Sequence, residues 1–428
     1  MSTTVNTTLN STVNSTVKST LDSTANSTIG SPVHRRVASL AADELPSYVH
    51  DLAALREHAA TVRAALPERV ELYYAAKANP EAPLLTALRD SVDGYEVSSG
   101  GELAHVRAAV PDAPLAFGGP GKTPAEIAAA VDAGVHRWHV ESEQELHRLA
   151  AVLAERPGAA VDVLLRVNLP VVTDALDAVP LAMGGRPTPF GLDPDRAEEC
   201  VRLLTDGGPL GRQLRLRGVH AHLASGLAAA EQLAVAQQIV TWSAELAERT
   251  GFPLTEVNVG GGMAVDYDDP ARRFDWTAFG EGLAELLDAH PGLVLRIEPG
   301  RALTAYCGWY ATEVLDVKRS HGEDFVVVRG GTHHLRTPAT RGHSQPFTVL
   351  PVDAWPHPWA RPAVGSGRAT LAGQLCTPKD VLARAAAGAA GLRAGDRVLF
   401  AMAGAYAWNI SHHEFLMHPR PGFHYLGG

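Results

Sequence analysis

The chain predicts a (β/α)8 TIM barrel followed by a second, mostly β domain, and three observations carry that expectation. Short apolar runs at 71–76, 92–97, 115–119, 136–141, 161–167, 216–223, 256–260 and 294–298 read as strands. Between them lie Ala/Leu/Glu-rich stretches such as 101–109, 124–133, 142–155, 195–205, 229–249 and 276–289, whose residues favour helix. Eight strands alternating with helices make a parallel barrel. Second, residues able to do chemistry fall at the C-terminal ends of these runs: Lys77, Glu96, His222, Gly260 and Glu298. That is the face on which barrels of this type build active sites. Third, the helical alternation stops after Arg301, and 309–317, 324–329, 346–351 and 396–401 are β-rich, broken by Pro, Gly and His.

The N-terminal segment stands apart. From Val5 it repeats a four-residue unit, one aliphatic among Asn, Ser and Thr. Such a composition buries too little apolar surface to offset chain entropy, so 1–33 reads as a disordered tail. It has neither the basic start nor the apolar core of a secretory signal. At the other extreme of regularity, the connection 168–190, with Met183-Gly184-Gly185-Arg186-Pro187, fits neither strand nor helix and has the length of a functional lid.

Composition narrows the function. With 47 acidic against 37 basic residues and a net charge of −10, there is no electrostatic footprint for nucleic acid. No apolar run reaches the ~18 residues that span a membrane. Cys200, Cys307 and Cys376 form neither a disulfide framework nor a metal-ligand spacing, which fits a reducing cytoplasm and no metal.

Lys77 is the most informative residue. It ends the apolar run Tyr73-Tyr74-Ala75-Ala76 and enters a turn at Ala78-Asn79-Pro80. A buried amine at a strand end loses its proton readily and can form a Schiff base with an aldehyde cofactor. Downstream, in order, come Gly94-Tyr95-Glu96-Val97-Ser98-Ser99-Gly100-Gly101-Glu102-Leu103, His220-Ala221-His222-Leu223-Ala224-Ser225-Gly226 and Asn258-Val259-Gly260-Gly261-Gly262. Then follow Glu298-Pro299-Gly300-Arg301, Leu375-Cys376-Thr377-Pro378-Lys379-Asp380-Val381-Leu382 and Gly404-Ala405-Tyr406. Three glycines in a row let backbone N–H groups approach an anion.

As an ordered set, over about residues 36–420, these motifs resemble the fold-type III pyridoxal-phosphate decarboxylases, the group of ornithine and diaminopimelate decarboxylases. The resemblance implies a barrel over 47–299 and an alanine racemase C-terminal-like β domain made of 34–46 and 300–428. It implies pyridoxal 5'-phosphate bound through Lys77, with Glu298 against the pyridine nitrogen, keeping it protonated as an electron sink. It implies phosphate binding by Gly260, Gly261, Gly262, Ser225 and Tyr406, with Arg301 nearby, and support of the lysine linkage by Glu96, where relatives carry aspartate. His222 would stack on the ring, with His220 on the same strand face as a competitor. In the family the active unit is a homodimer with shared sites, in which Cys376 comes from the second subunit and protonates the carbanion carbon. Asp380 would face the substrate's amine-bearing end.

Two departures bear on substrate. Where ornithine-type enzymes carry aspartate and diaminopimelate-type enzymes glutamate after this cysteine, the chain has Thr377. The Arg-Pro-x-Leu-Tyr motif of diaminopimelate enzymes is replaced by Gly331-Thr332-His333-His334-Leu335-Arg336-Thr337-Pro338, and Lys-Phe-Gly becomes Pro189-Phe190-Gly191. Arg336, with His333, His334, Arg341 and His343, offers donors for a carboxylate-rich or hydroxylated tail. The branch looks most similar to decarboxylases of carboxylate-type siderophore pathways, acting on citrate joined to a diamino acid such as diaminopropionate. Diaminopimelate, ornithine or a carrier-bound amino acid are the alternative substrates. Racemases of this fold usually place arginine at the pyridine nitrogen, so Glu298 and Cys376 count against racemisation.

Overall fold

The computed structural model describes residues 31–170, 184–205 and 210–428. The tail expected over 1–33 therefore lies outside the described residues except at its end, where the expectation fails. Ser31 accepts the His34 N–H and Pro32 opens a helix, Pro32–Ser39, whose Val33 and Val37 are fully buried. They pack with Leu40, Leu45, Val49, Ala311, Leu350 and Leu399.

The first strand, β1 (Ser47–Asp51), pairs with the later sheet rather than with the barrel. The barrel is closed by eight parallel strands: β2 (Val70–Ala75), β3 (Gly94–Val97), β4 (Leu115–Phe117), β5 (Arg137–Val140), β6 (Val161–Arg166), β7 (Leu214–His220), β8 (Glu256–Asn258) and β9 (Val294–Ile297). Each coincides with a predicted apolar run. Helices follow the strands, several with sequence-encoded starts. Ser99, Thr123, Ser142 and Asp275 each accept a backbone N–H of the first turn.

The barrel interior is not uniformly apolar. Arg296 in β9 is 2% exposed and donates to Glu71 at 2.6 Å and Glu256 at 2.9 Å, with its guanidinium 4.5 Å from the Tyr73 ring centroid. Arg137 adds a 3.2 Å bond to Glu71. Glu71, Arg137 and Glu256 sit at strand starts, so this ionic layer fills the lower barrel. The upper ends of the same staves carry a second polar set: Glu96, His139, Arg166, His220, Asn258 and, just past β9, Glu298.

The chain forms two compact units, the barrel unit being the described residues of Ala54–Val265 with Phe274–Thr304. The other holds the described residues up to Ala53, Asp266–Arg273 and everything from Ala305. The barrel expected over 47–299 thus starts later, because Ser47–Asp51 finds its hydrogen bonds in the second sheet.

That sheet comprises β10 (Gly308–Ser320), β11 (Glu323–Val328), β12 (Phe347–Leu350), β13 (Ala369–Ala372), β14 (Val381–Ala386) and β15 (Arg397–Phe400), in the order β12-β15-β10-β11-β13-β14. β1 pairs antiparallel with β10 and parallel with β16 (Gly422–Leu426). Its core is Tyr48, Tyr310, Val314, Leu371, Val398 and Phe400. Among the described residues, no helix is long and apolar enough to cross a membrane.

Candidate active site

Lys77 sits in a one-turn 3-10 helix, Ala76–Ala78, directly after β2. Its Nζ donates to Glu96 Oε2 at 2.8 Å, and Ser98 Oγ donates to Glu96 Oε1 at 2.9 Å. Burial pushes the Glu96 carboxyl up, but the Lys77 ammonium, the Lys77 and Ser98 hydrogen bonds and more distant Arg166 outweigh it, and the net shift is down. Glu96 is therefore the counter-ion. The burial expected to strip the proton from Lys77 is not what the fold provides: 48% of its side chain is exposed, against 4% for Glu96.

Glu298 lies 7% exposed at the end of β9. Its Oε1 accepts from Asn258 Nδ2 at 2.7 Å, and His220 Nε2 lies 3.5 Å from Oε2. Burial, then repulsion from Glu96, pushes its carboxyl up to about 7. Nearby His139 and His220 are held well below the ordinary imidazole value, chiefly by burial, then by Arg296 for His139 and by His139 for His220. The site thus holds a carboxyl group that gives up its proton only near neutral pH, with neutral rings beside it. His139, His220 and Glu298 present ligand atoms within 4.8 Å of one another, a spacing a metal could use. Asn258 N–H groups, however, point at both Glu298 and His139, placing hydrogens where a cation would need lone pairs.

A raised carboxyl has a consequence for stability. For Glu298 the favourable contribution is complete below the ordinary carboxylate range near 4.5 and is lost as pH rises through about 7. Glutamine mimics the protonated form. In cofactor-free protein, the Tm of the wild type should match that of Glu298→Gln near pH 5 and fall below it by pH 8. Parallel Tm–pH curves would contradict the assignment.

The glycine run explains itself by close approach. A Cβ at Gly261 would lie 2.3 Å from the Glu298 carbonyl oxygen, and one at Gly262 2.2 Å from that of Ala224. Gly260 and Gly262 also have φ of +72° and +109°. The expected cradle of three free N–H groups is narrower than the sequence implied. Gly260 N–H goes to Asn258 Oδ1 at 2.9 Å and Gly261 N–H to His222 Nδ1 at 3.1 Å, which leaves Gly262. Gly226 and Leu227 N–H both bond Gly262 O, bringing Ser225 beside the run. Arg301 opens the short helix after Glu298, in the same unit. His222, accepting at Nδ1, carries its proton on Nε2. Burial, then Lys77, pulls its pKa down to about 3, so it is a neutral ring suited to stacking.

Several site residues escaped the sequence reading: Asn258, His139, Arg166 and Glu141. Arg166, ending β6, donates to Glu141 at 2.7 Å and lies 5.0 Å from the Phe190 ring centroid, while Gly191 N–H bonds the other Glu141 oxygen at 2.8 Å. Pro189-Phe190-Gly191 is thereby stitched to the barrel rim. Of the proposed lid, 171–183 lies outside the described residues. The signal for these residues was available: a polar side chain at the end of an otherwise buried barrel strand.

On the second unit, two assignments fail. Asp380 is 2% exposed and both its oxygens are committed: Oδ1 to Thr332 N–H at 2.6 Å and its hydroxyl at 2.8 Å, Oδ2 to Leu375 N–H at 2.8 Å. It fastens two loops and is buried rather than facing a substrate amine. His334 is likewise buried between the Tyr310 hydroxyl and the Pro419 carbonyl, each 3.0 Å away, and burial, then His333, lowers it to about 3. His333 is fully buried and His343 packs on Tyr267. The expected donor cluster reduces to exposed Arg336, whose guanidinium donates to the Ile410 carbonyl at 3.4 Å. The Arg341 side chain lies outside the described residues. Cys376 is a free, exposed thiol. Tyr406 is half-buried with φ +49°, its carbonyl accepting from Thr337.

Residues 52–305 match the model of the pyridoxal-dependent decarboxylase, pyridoxal binding domain. The chain belongs to the pyridoxal-phosphate-dependent decarboxylases. This decarboxylase is 38% identical, over 89% of its length and 93% of the relative, to the 2-[(L-alanin-3-ylcarbamoyl)methyl]-2-hydroxybutanedioate decarboxylase of Staphylococcus aureus. It is 31% identical to the L-glutamyl-[BtrI acyl-carrier protein] decarboxylase of Niallia circulans over 88% of each chain. Against the diaminopimelate decarboxylase of Vibrio cholerae the identity is 30%, covering 86% and 84%. In fold the decarboxylase is similar to Helicobacter pylori diaminopimelate decarboxylase, at TM-score 0.75 and 23% identity over 86% and 88%. Selenomonas ruminantium lysine decarboxylase gives 0.72 and 22% over 89% and 92%.

The barrel's donor set fits the cofactor. Glu298 suits a protonated ring nitrogen, Gly262 and Ser225 suit a phosphate, and half-exposed Lys77 suits the aldehyde. When bound, pyridoxal phosphate accepts the electron pair left on the α-carbon as carbon dioxide departs.

Proposed function

We propose that this decarboxylase acts on an α-amino acid carrying a citrate-type tail, as in citryl-diaminopropionate, in siderophore biosynthesis. The observation that carries the reading is the 38% identity across nearly the whole of both chains to a relative named for such a substrate. That name describes alanine joined at its C3, through an amide, to a 2-hydroxy tricarboxylate. The reaction consumes one proton at the α-carbon and releases carbon dioxide, leaving the amine on an ethyl amide. Thr377 supports the reading, because an acid there would pair with a distal ammonium and oppose a carboxylate tail. Exposed Arg336 supports it as a fork for that tail.

The test is a kcat/KM comparison over citryl-diaminopropionate, diaminopimelate, ornithine and lysine. The citryl conjugate should lead, and Arg336→Ala should raise its KM roughly thirty-fold with kcat little changed, in the range for losing one charged partner. If ornithine or diaminopimelate is turned over with the higher kcat/KM, the basic amino acid reading replaces this one.

The same reading includes Glu298 against the ring nitrogen, His222 against the ring face, and a homodimer in which Cys376 of one copy would return the proton to the α-carbon at the Lys77 site of the other. Cys376 presents an exposed thiol and Lys77 a half-exposed amine, each available to a second copy. An exposed catalytic thiol is preserved in a reducing cytoplasm, where we place the enzyme.

A further inference from the structure

Asn258 is fully buried, and its hydrogen bonds define which way its amide faces. Gly260 N–H needs an acceptor, so the atom 2.9 Å from it is the carbonyl oxygen. The amide nitrogen then has two hydrogens, one reaching Glu298 Oε1 at 2.7 Å and the other His139 Nε2 at 3.2 Å. His139 Nε2 is thereby an acceptor and its proton sits on Nδ1. Nδ1 is buried without a partner, against Gly118, where a Cβ would come within 3.4 Å of it.

We propose that His139 is a positioning residue: by accepting one N–H of Asn258 it turns the other onto Glu298 and the carbonyl onto Gly260, so that one amide sets both the ring-nitrogen carboxylate and the glycine run. His139 itself is 0% exposed and acts only through Asn258. The role requires a neutral ring, since an imidazolium has no acceptor and would also compete with the cofactor's ring nitrogen for Glu298. The surroundings enforce neutrality. His220 packs on His139 with ring centroids 4.1 Å apart, Lys122 donates to the His139 carbonyl at 2.9 Å, and Arg296, Arg166 and Lys77 add positive charge, opposed by Glu298 and by Glu96 across Gly118. A hydrocarbon at 139 would free the amide to rotate, loosening Glu298 and Gly260 together.

The inference rests on Glu298 facing the ring nitrogen, and the experiment separates the two. Nitrogen-15 NMR of histidine-labelled holoenzyme, assigned by difference against His139→Gln, should show His139 neutral with its proton on Nδ1 from pH 6 to 8. An imidazolium or the Nε2–H tautomer overturns the proposal, whatever Glu298 contacts. In parallel, His139→Leu should weaken pyridoxal phosphate binding about tenfold, as for one lost buried hydrogen bond. It should also move deprotonation of the labelled cofactor ring nitrogen to lower pH, and His139→Gln, which keeps an acceptor, should restore both. Wild-type affinity and ring-nitrogen titration in His139→Leu would refute the role. If that variant does not fold, the tautomer in the wild type decides. A ring nitrogen unaffected by Glu298→Gln, with the His139 tautomer as expected, would instead refute the Glu298 assignment alone.

Discussion

Lys77→Ala should abolish the borohydride-reducible bond between chain and cofactor and lower kcat by roughly 10^3-fold or more, since both covalent attachment and an amine beside the reacting carbon are lost. No other lysine of the barrel unit can stand in. Of the five in the sequence, only Lys77 and Lys122 belong to the barrel unit. The Lys122 side chain is 1% exposed, and its Nζ donates to the Gly119 carbonyl at 2.8 Å, the His139 carbonyl at 2.9 Å and Glu145 at 2.6 Å. Freeing that ammonium would break a buried charge pair, a change costing about 3–5 kcal/mol. Cofactor should still bind without the covalent bond, because Glu298 and Gly262 do not depend on Lys77. The checks are mass spectrometry after borohydride reduction and carbon dioxide release from the proposed substrate. A reducible adduct in Lys77→Ala would show the assignment to be wrong.

What the sequence made legible follows from how each feature is encoded. The barrel strands are buried on both sides, so they read as apolar runs, and every one of the eight overlaps a predicted run. That Lys77, Glu96, His222 and Glu298 share one end of the barrel was legible because a strand end fixes which face they occupy. Strands β13 and β14 were missed because Ala-Thr-Leu-Ala and Val-Leu-Ala-Arg-Ala-Ala carry helical propensity, which pairing with neighbouring strands overrides. β1 and β16 were missed because each is completed by a partner more than 350 residues away in sequence. Asp380 and His334 lie in irregular loops, where spacing along the chain says nothing about whether a side chain faces solvent or fastens a neighbouring loop. The glycine run misled for a related reason. Its N–H groups looked free, but Asn258, two residues before Gly260, and His222, just past the adjacent strand, absorb two of them.

Two inactive variants should together recover activity. Under the proposed homodimer, Lys77→Ala retains Cys376 and Cys376→Ala retains Lys77. Equal mixing with subunit exchange makes half of the dimers mixed, and two-fold symmetry gives each of these one site with both residues intact and one with neither. Recovery should therefore approach roughly a quarter of wild-type activity, from a baseline near zero. The effect is large because Lys77 and Cys376 act at one site and their losses do not add. The location of the two residues makes the test sharp. Lys77 belongs to the barrel unit and Cys376 to the other, and the thiol is exposed and free. Truncating it to alanine leaves the Asp380 contacts with Thr332 and Leu375 untouched, so the loop that presents it should keep its shape. Exchange is verified by tagging one variant and recovering the other with it. Mixed dimers that form yet show no activity would mean that Cys376 does not serve a partner's Lys77 site, whereas substantial activity in Cys376→Ala alone would remove the thiol from the proton-return step.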